Sequence, residues 1–169
     1  MLALDIERLP GPIGEMILLT DALGRARALD WTDHEARMMR LLRSHNAAES
    51  IETTARSAPT PARRAIEAYF DGDLTAIDGI AIETGGTDFR RAVWRALRAI
   101  PAGTTMTYGG LARLLGMPRA VRAVGAANGA NPISIVVPCH RLIGAGGSLT
   151  GYGGGIERKR WLLRHEGVA

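Results

Sequence analysis

The segment RAVGAANGANPISIVVPCHR, residues 122–141, contains the only cysteine of the chain and changes character along its length. It opens on small residues, Ala123, Gly125, Ala126, Ala127, Gly129 and Ala130, in a helical setting. Glycine inside a helix costs roughly 1 kcal/mol against alanine, so such a face needs tight packing or a closely approaching partner to offset it. Arg122 is the one long side chain on that face besides Arg119. A strand-like apolar run, 133–137, then stops at Pro138, which lacks a backbone N–H and turns the chain out of a strand. The loop beyond it carries Cys139, His140 and Arg141. A lone cysteine is commonly a small inert core residue. Here basic neighbours, with Glu166 as a further partner, supply the surroundings that make a thiol a nucleophile. Adjacent residues of an extended chain point to opposite sides, so Cys139–His140 contact requires a turn or a bridging water.

Upstream the pattern is helical. Phe89, Val93, Leu97 and Ile100 recur at i, i+4, i+8 and i+11, one apolar stripe on a helix that ends before Pro101. Thr107 caps a short helix, 108–115, closed by Gly116, and Pro118 starts another that carries Val121 and Val124 inward. Two short helices joined through Gly116 and Met117 form a helix-turn-helix candidate, a pattern shared with helical hairpins that bind nothing. Charge divides the chain near the same point: residues 1–85 carry a net −5 and residues 86–169 a net +9. A basic half of that density is the footprint of a polyanion-binding module, against the plainer reading of a solvated arginine-rich surface. The boundary falls at TGGT, 84–87, read as a linker between domains 1–85 and 86–169.

The first domain reads as mixed α/β. Residues 16–19 and 26–31 flank the turn-prone stretch 21–24 as a hairpin, with Pro10 and Pro12 holding the approach extended. Asp33 caps a helix through Asn46 with Met38, Leu41 and Leu42 on one side. Thr60 and Pro61 open another through Phe70 that stops at Gly72. Residues 77–82 read as a short strand.

Composition narrows the class. A chain of 169 residues with 46% hydrophobic and 22% charged residues and a mean hydropathy of +0.01 is that of a folded soluble protein. No apolar run approaches the roughly 18 residues of a membrane span, and the acids and prolines near the N-terminus do not make a signal peptide. A cytoplasmic protein without membrane association is expected. One cysteine rules out an internal disulfide and a cysteine-built zinc cluster, so no metal is expected.

The residues then carry a resemblance. VPCHR (137–141), preceded by RAVGAANGANP (122–132) and followed by GYGGG (151–155) and RWLLRHEG (160–167), resembles the O6-alkylguanine-DNA alkyltransferase family, the methylated-DNA–protein-cysteine methyltransferases. Looser similarity runs through GPIG (11–14), YFDG (69–72) and TDF (87–89). The resemblance implies a ribonuclease-H-like α/β N-terminal domain and a mainly α C-terminal domain with a helix-turn-helix and the reactive cysteine. It implies irreversible, once-only transfer of the alkyl group from O6-alkylguanine, and O4-methylthymine, in double-stranded DNA onto Cys139, without a cofactor.

Residue by residue, it implies Cys139 as nucleophile, His140 as base acting through a water, and Glu166 orienting the imidazole. Tyr108 matches the phenol that protonates the departing base, Lys159 the lysine that holds that tyrosine, and Asn131 the side chain bridging the helix-turn-helix to the cysteine loop. Arg122 matches the arginine that fills the stack when the base is flipped, with Ala123, Ala126 and Ala127 as a minor-groove face. Tyr152, Gly153 and Gly154 are expected in the base pocket, and Ser134 at its rim. A monomer is expected, with cooperative assembly on DNA left open. The other readings are a cysteine hydrolase and a helix-turn-helix protein that binds alkyl lesions or regulates without turnover. The first fits poorly with a +9 half, and the second leaves Cys139, Tyr108, Glu166 and the glycine loop unexplained.

Overall fold

The computed structural model describes residues 1–168, which divide into two compact units. The first comprises Met1–Gly86 with Pro132–Val136, and the second Thr87–Asn131 with Val137 onward. The segment 132–136, expected within the second domain, thus packs with the first.

The first unit is built on a four-stranded sheet of order β3-β2-β1-β4, from β1 (Leu2–Leu9), β2 (Met16–Thr20), β3 (Ala26–Trp31) and β4 (Ile51–Ala55). The expected hairpin is β2–β3, antiparallel, with every residue of both strands buried. Its turn is set by Asp21, whose Oδ1 accepts from the Leu23 and Arg25 N–H groups at 3.0 Å, while Gly24 takes φ +77°. The sequence reading missed β1 and β4, which pair in parallel. β1 carries Glu7 inward, where Thr60 holds it through both Oγ1 (2.5 Å) and backbone N–H (3.1 Å). The outer edge of β3 is closed by single bridges, Ala26 to Ile82 and Leu29 to Ile133.

Helix α1 (Glu35–Asn46) packs Met38 and Leu42 into the core with Leu4, Ile17, Leu19 and Ala28, while Leu41 is half-buried. Asp33 is not its cap: a 3-10 turn, Thr32–His34, leads in, and no side chain caps the helix. Helix α2 (Pro61–Phe70) starts as expected, with Thr60 Oγ1 accepting from Arg63 N–H. The strand expected over 77–82 is instead a 3-10 turn, Ala76–Gly79, with only Ile82 bridged. Ile77 and Ile80 are both buried, and their i, i+3 spacing is the period of that helix.

The second unit is mainly helical: α3 (Asp88–Arg98), α4 (Tyr108–Leu114), α5 (Val121–Gly129) and α6 (Ile156–His165), with a two-residue parallel pair, β5 (Met106–Thr107) and β6 (Leu142–Ile143). Thr87 and Thr107 cap α3 and α4. The stripe on α3 buries Val93, Leu97 and, just past the helix, Ile100; Phe89 is half-buried. Trp94 adds a buried ring whose Nε1 donates to the Ala127 carbonyl at 2.8 Å. Helix α4 ends in a Schellman motif: Gly116, at φ +73°, donates to Arg113 O (2.9 Å) and Met117 donates to Ala112 O (2.9 Å). Pro118 lies in the turn that follows, closed by Ala120 N–H to Met117 O at 2.9 Å, so α5 starts three residues later than expected. Val121 consequently stands 38% exposed and only Val124 points inward. No helix among the described residues is long and apolar enough to cross a membrane.

Candidate active site

The run before Cys139 is not a strand. After the Ile133 bridge the chain makes two three-residue turns, closed by Val136 N–H to Ser134 O and by Cys139 N–H to Val137 O, both at 2.8 Å. The second is centred on Pro138 at φ −80°, ψ 66°, an inverse γ-turn that the proline ring favours. The first centres on Ile135 at φ +70°, a conformation that costs a β-branched residue about 1–3 kcal/mol. Asn131 Nδ2 donates to Val137 O at 2.7 Å, so that carbonyl is held from two sides. Cys139–Arg141 then form one 3-10 turn, Arg141 N–H reaching Pro138 O at 3.0 Å. A turn at the Cys139–His140 pair, required for the two to cooperate, is therefore present.

Behind Cys139 lies a buried charge network. Glu166, the residue at the C-terminal cap of α6, accepts from His140 Nε2 at 2.8 Å and from Arg141 Nε and Nη2 at 2.9 Å each. Arg141 Nη1 donates to Ile100 O at 2.6 Å. His140 and Glu166 side chains are fully buried, and Arg141 nearly so. The two-point pairing leaves Arg141 and Glu166 mutually neutralised. Burial pushes the His140 imidazole below its ordinary pKa, outweighing the raising effect of Glu166, so the ring is neutral at pH 7. With Nε2 turned to the carboxylate, Nδ1 is the remaining ring nitrogen, buried and with no hydrogen-bond partner.

Cys139, 6% exposed, opens on a cleft of about 250 Å³ lined by Tyr108, Gly125, Asn128, Gly129, Gly151, Tyr152 and Gly153. Tyr108 is the first residue of α4, and its hydroxyl lies 3.5 Å from the Thr150 carbonyl. Lys159 is completely buried, its Nζ donating to Leu142 O (2.6 Å) and to that same Thr150 O (2.9 Å). Burial lowers its pKa from the ordinary lysine value. It therefore fastens both ends of the 142–150 stretch to α6, and it meets Tyr108 at a shared carbonyl.

The expected residues separate into groups. Cys139, Tyr108, Tyr152 and Gly153 share the cleft, while His140, Glu166, Lys159 and Asn131 form the buried shell around the cysteine turn. Gly154 is buried, its carbonyl taking Arg158 Nη1 at 3.3 Å, and is not a lining residue. Ser134, 4% exposed, packs with the first unit, its N–H on Leu29 O at 2.9 Å, and does not line the cleft. On α5, Arg122, Ala123 and Ala126 are exposed, but Ala127 is 1% exposed under Trp94, so it is not part of the outer face. Arg141 and Asn128 were missed. Arg141 sits in the quoted motif but its acidic partner, Glu166, lies 25 residues further on, and Asn128 is hidden among small residues. Among the described residues no three His, Cys, Asp or Glu side chains are grouped as a metal site needs.

Comparison with known proteins places this geometry. Residues 88–168 match the family model of the 6-O-methylguanine DNA methyltransferase DNA-binding domain. The methylated-DNA–protein-cysteine methyltransferase of Salmonella typhimurium is 52% identical over 167 residues, covering 99% of this chain and 98% of that protein. Among solved structures, Mycobacterium tuberculosis OGT in complex with DNA superimposes with a TM-score of 0.77 at 40% identity, covering 98% of this chain and 92% of that one. The O6-methylguanine-DNA methyltransferase of Pyrococcus kodakaraensis gives 0.69 at 26% identity, covering 98% and 99%. The chain belongs to the methylated-DNA–protein-cysteine methyltransferase family.

Proposed function

We propose that this chain repairs DNA by moving the alkyl group of O6-alkylguanine onto Cys139, once per molecule. The observation that carries the reading is the sole cysteine, at the wall of a glycine-lined cleft, with a neutral histidine and a paired Glu166–Arg141 buried behind it.

The thiol proton passes to His140 Nδ1 through a water, and Glu166 stabilises the imidazolium that forms. The Cys139 thiolate attacks the alkyl carbon. An S–C bond forms, the C–O6 bond breaks, and its electron pair passes to the guanine O6 and ring nitrogen. Tyr108 protonates that nitrogen and solvent restores the phenol, while Lys159 and Asn131 hold the two sides of the cysteine turn. The product thioether has no proton to lose and no leaving group to expel, so the acceptor is used up. No step needs a cofactor.

Reaching O6 requires the base to leave the duplex, at a cost of a few kcal/mol that is smaller for a damaged pair. Arg122, exposed at the start of α5, fills the vacated space. Ala123 and Ala126 give that helix a smooth face for close approach in the minor groove. In this reading α4 and α5 are the helix-turn-helix, residues 1–85 a ribonuclease-H-like domain, and O4-methylthymine a second substrate. The protein acts as a monomer. Incubation with methylated duplex should add one methyl mass to Cys139 and then stop, and Cys139→Ala should bind DNA without transfer. Binding without a mass change in the native chain would instead identify a lesion-binding protein.

A further inference from the structure

A cavity of about 340 Å³ opens between the 142–150 stretch and α6, and it shares no lining residue with the Cys139 cleft. Its apolar part is Ile143 and Leu149 from the stretch, Leu163 from α6 and Val168 beyond that helix. Leu163 is buried and the other three are half-buried, so they form a floor that solvent still reaches. Two guanidinium groups complete the lining, Arg160 and Arg164, one turn apart on the same face of α6. Like charges at that i, i+4 spacing repel each other. Among the described residues no carboxylate lines the cavity to offset them. Glu157, which Arg160 Nη1 meets at 2.6 Å, lies outside the lining with its side chain 89% exposed, and Arg164 is exposed.

An apolar floor under two uncompensated cations selects the chemistry of its occupant. The volume falls at the small end of the roughly 300–1,000 Å³ typical of small-molecule sites, which pair an apolar lining with a few polar groups that orient the ligand. A neutral apolar molecule leaves the arginines without a countercharge, and a cation is repelled by them. A carboxylate matches the planar guanidinium fork two N–H groups at a time. We propose that this cavity binds an amphipathic carboxylate, its hydrocarbon body against Ile143, Leu149 and Leu163 and its anionic end on Arg160 and Arg164. Lys159, next to Arg160 in the chain, already holds the Leu142 and Thr150 carbonyls at the two ends of the stretch that supplies Ile143 and Leu149. A ligand resting on those two side chains adds a second hold on the same stretch.

The probe is octanoate, with octan-1-ol as its neutral counterpart, titrated into the full chain and followed by calorimetry and by the methyl resonances of labelled Ile and Leu. Octanoate should bind one to one with a Kd below about 0.5 mM, shift the Ile143, Leu149 and Leu163 methyls and slow hydrogen exchange over residues 143–149. Octan-1-ol should bind at least about five-fold more weakly. Arg160→Gln and Arg164→Gln should each weaken octanoate about three- to ten-fold, the range of a partly exposed, hydrogen-bonded charge pair, and leave octan-1-ol unchanged. Thermal unfolding of both variants without the probe should match the native chain, which separates a lost ligand from a lost fold. Equal affinities for octanoate and octan-1-ol would overturn the proposal without any variant, as would weaker octanoate binding than that limit or methyl shifts confined to other residues. Octanoate affinity unchanged by both substitutions would overturn it as well.

Discussion

Replacing Arg141 by methionine tests whether the network behind Cys139 sets the charge of its base. Methionine keeps much of the apolar stem but removes both contacts to Glu166 (2.9 Å each) and the one to Ile100 O (2.6 Å), within a site almost fully buried. Removing one partner of a buried ion pair costs about 3–5 kcal/mol, chiefly because the other charge is left behind. At roughly 2–4 °C per kcal/mol for a chain of this size, Tm should fall by about 6–20 °C. The surviving carboxylate must then take its countercharge from His140. Arg141 is among the charges that hold the imidazole below its ordinary pKa and Glu166 opposes it, so the variant raises that pKa. A base protonated at neutral pH cannot take the thiol proton, so the midpoint of transfer rate against pH should move alkaline. Urea unfolding and single-turnover transfer between about pH 5.5 and 9 measure both effects. A loss below about 1 kcal/mol together with an unchanged midpoint would refute the reasoning.

Three further outcomes are expected. His140 binds its proton less readily folded than unfolded, so its contribution to stability is full above the unfolded value of 6.5 and disappears as pH falls from there through the folded value. Unfolding free energy measured from about pH 7.5 to 5 should show that slope, at most about 1.4 kcal/mol per pH unit, and His140→Gln should flatten it. Lys159→Met strands the Leu142 and Thr150 carbonyls, for about 1–3 kcal/mol each where they stay buried, and should speed hydrogen exchange through residues 142–150; unchanged protection there would contradict the fastening role. Arg122→Asp should slow repair in duplex DNA while sparing reaction with the free alkylated base, and an equal loss on both would point to folding instead.

Local signals made much of the fold legible. Asp21 with Gly24, Thr60 with Pro61, and Thr107 each decide their own turn or cap within a few residues, whereas Thr87, read as linker, also caps α3. What depended on distant partners was not legible. β1 carries a buried Glu7 that Thr60 satisfies from far along the chain, and its parallel pairing with β4 leaves no short turn to read. The isoleucines near residue 80 were read with a strand period although they bury at i, i+3. Ala127 looked like surface because Trp94, which covers it, lies on another helix. In the site, the cysteine turn carried its chemistry in adjacent residues, but the role of Arg141 required knowing that Glu166 folds back onto it. Asn128 gave no signal, since its place in the lining is a property of the assembled cleft.

The bridge between Leu29 and Ile133 bears on how the chain can be cut. Leu29 N–H is satisfied by Pro132 O at 3.1 Å and its carbonyl by Ser134 N–H at 2.9 Å. A fragment ending at Gly86 would keep all four strands yet leave that stretch of β3 bare, a template for strand addition by another molecule. Such a fragment should self-associate, and supplying the missing segment as a separate peptide should restore it to a monomer. The gene cannot be divided at its apparent linker into two well-behaved products.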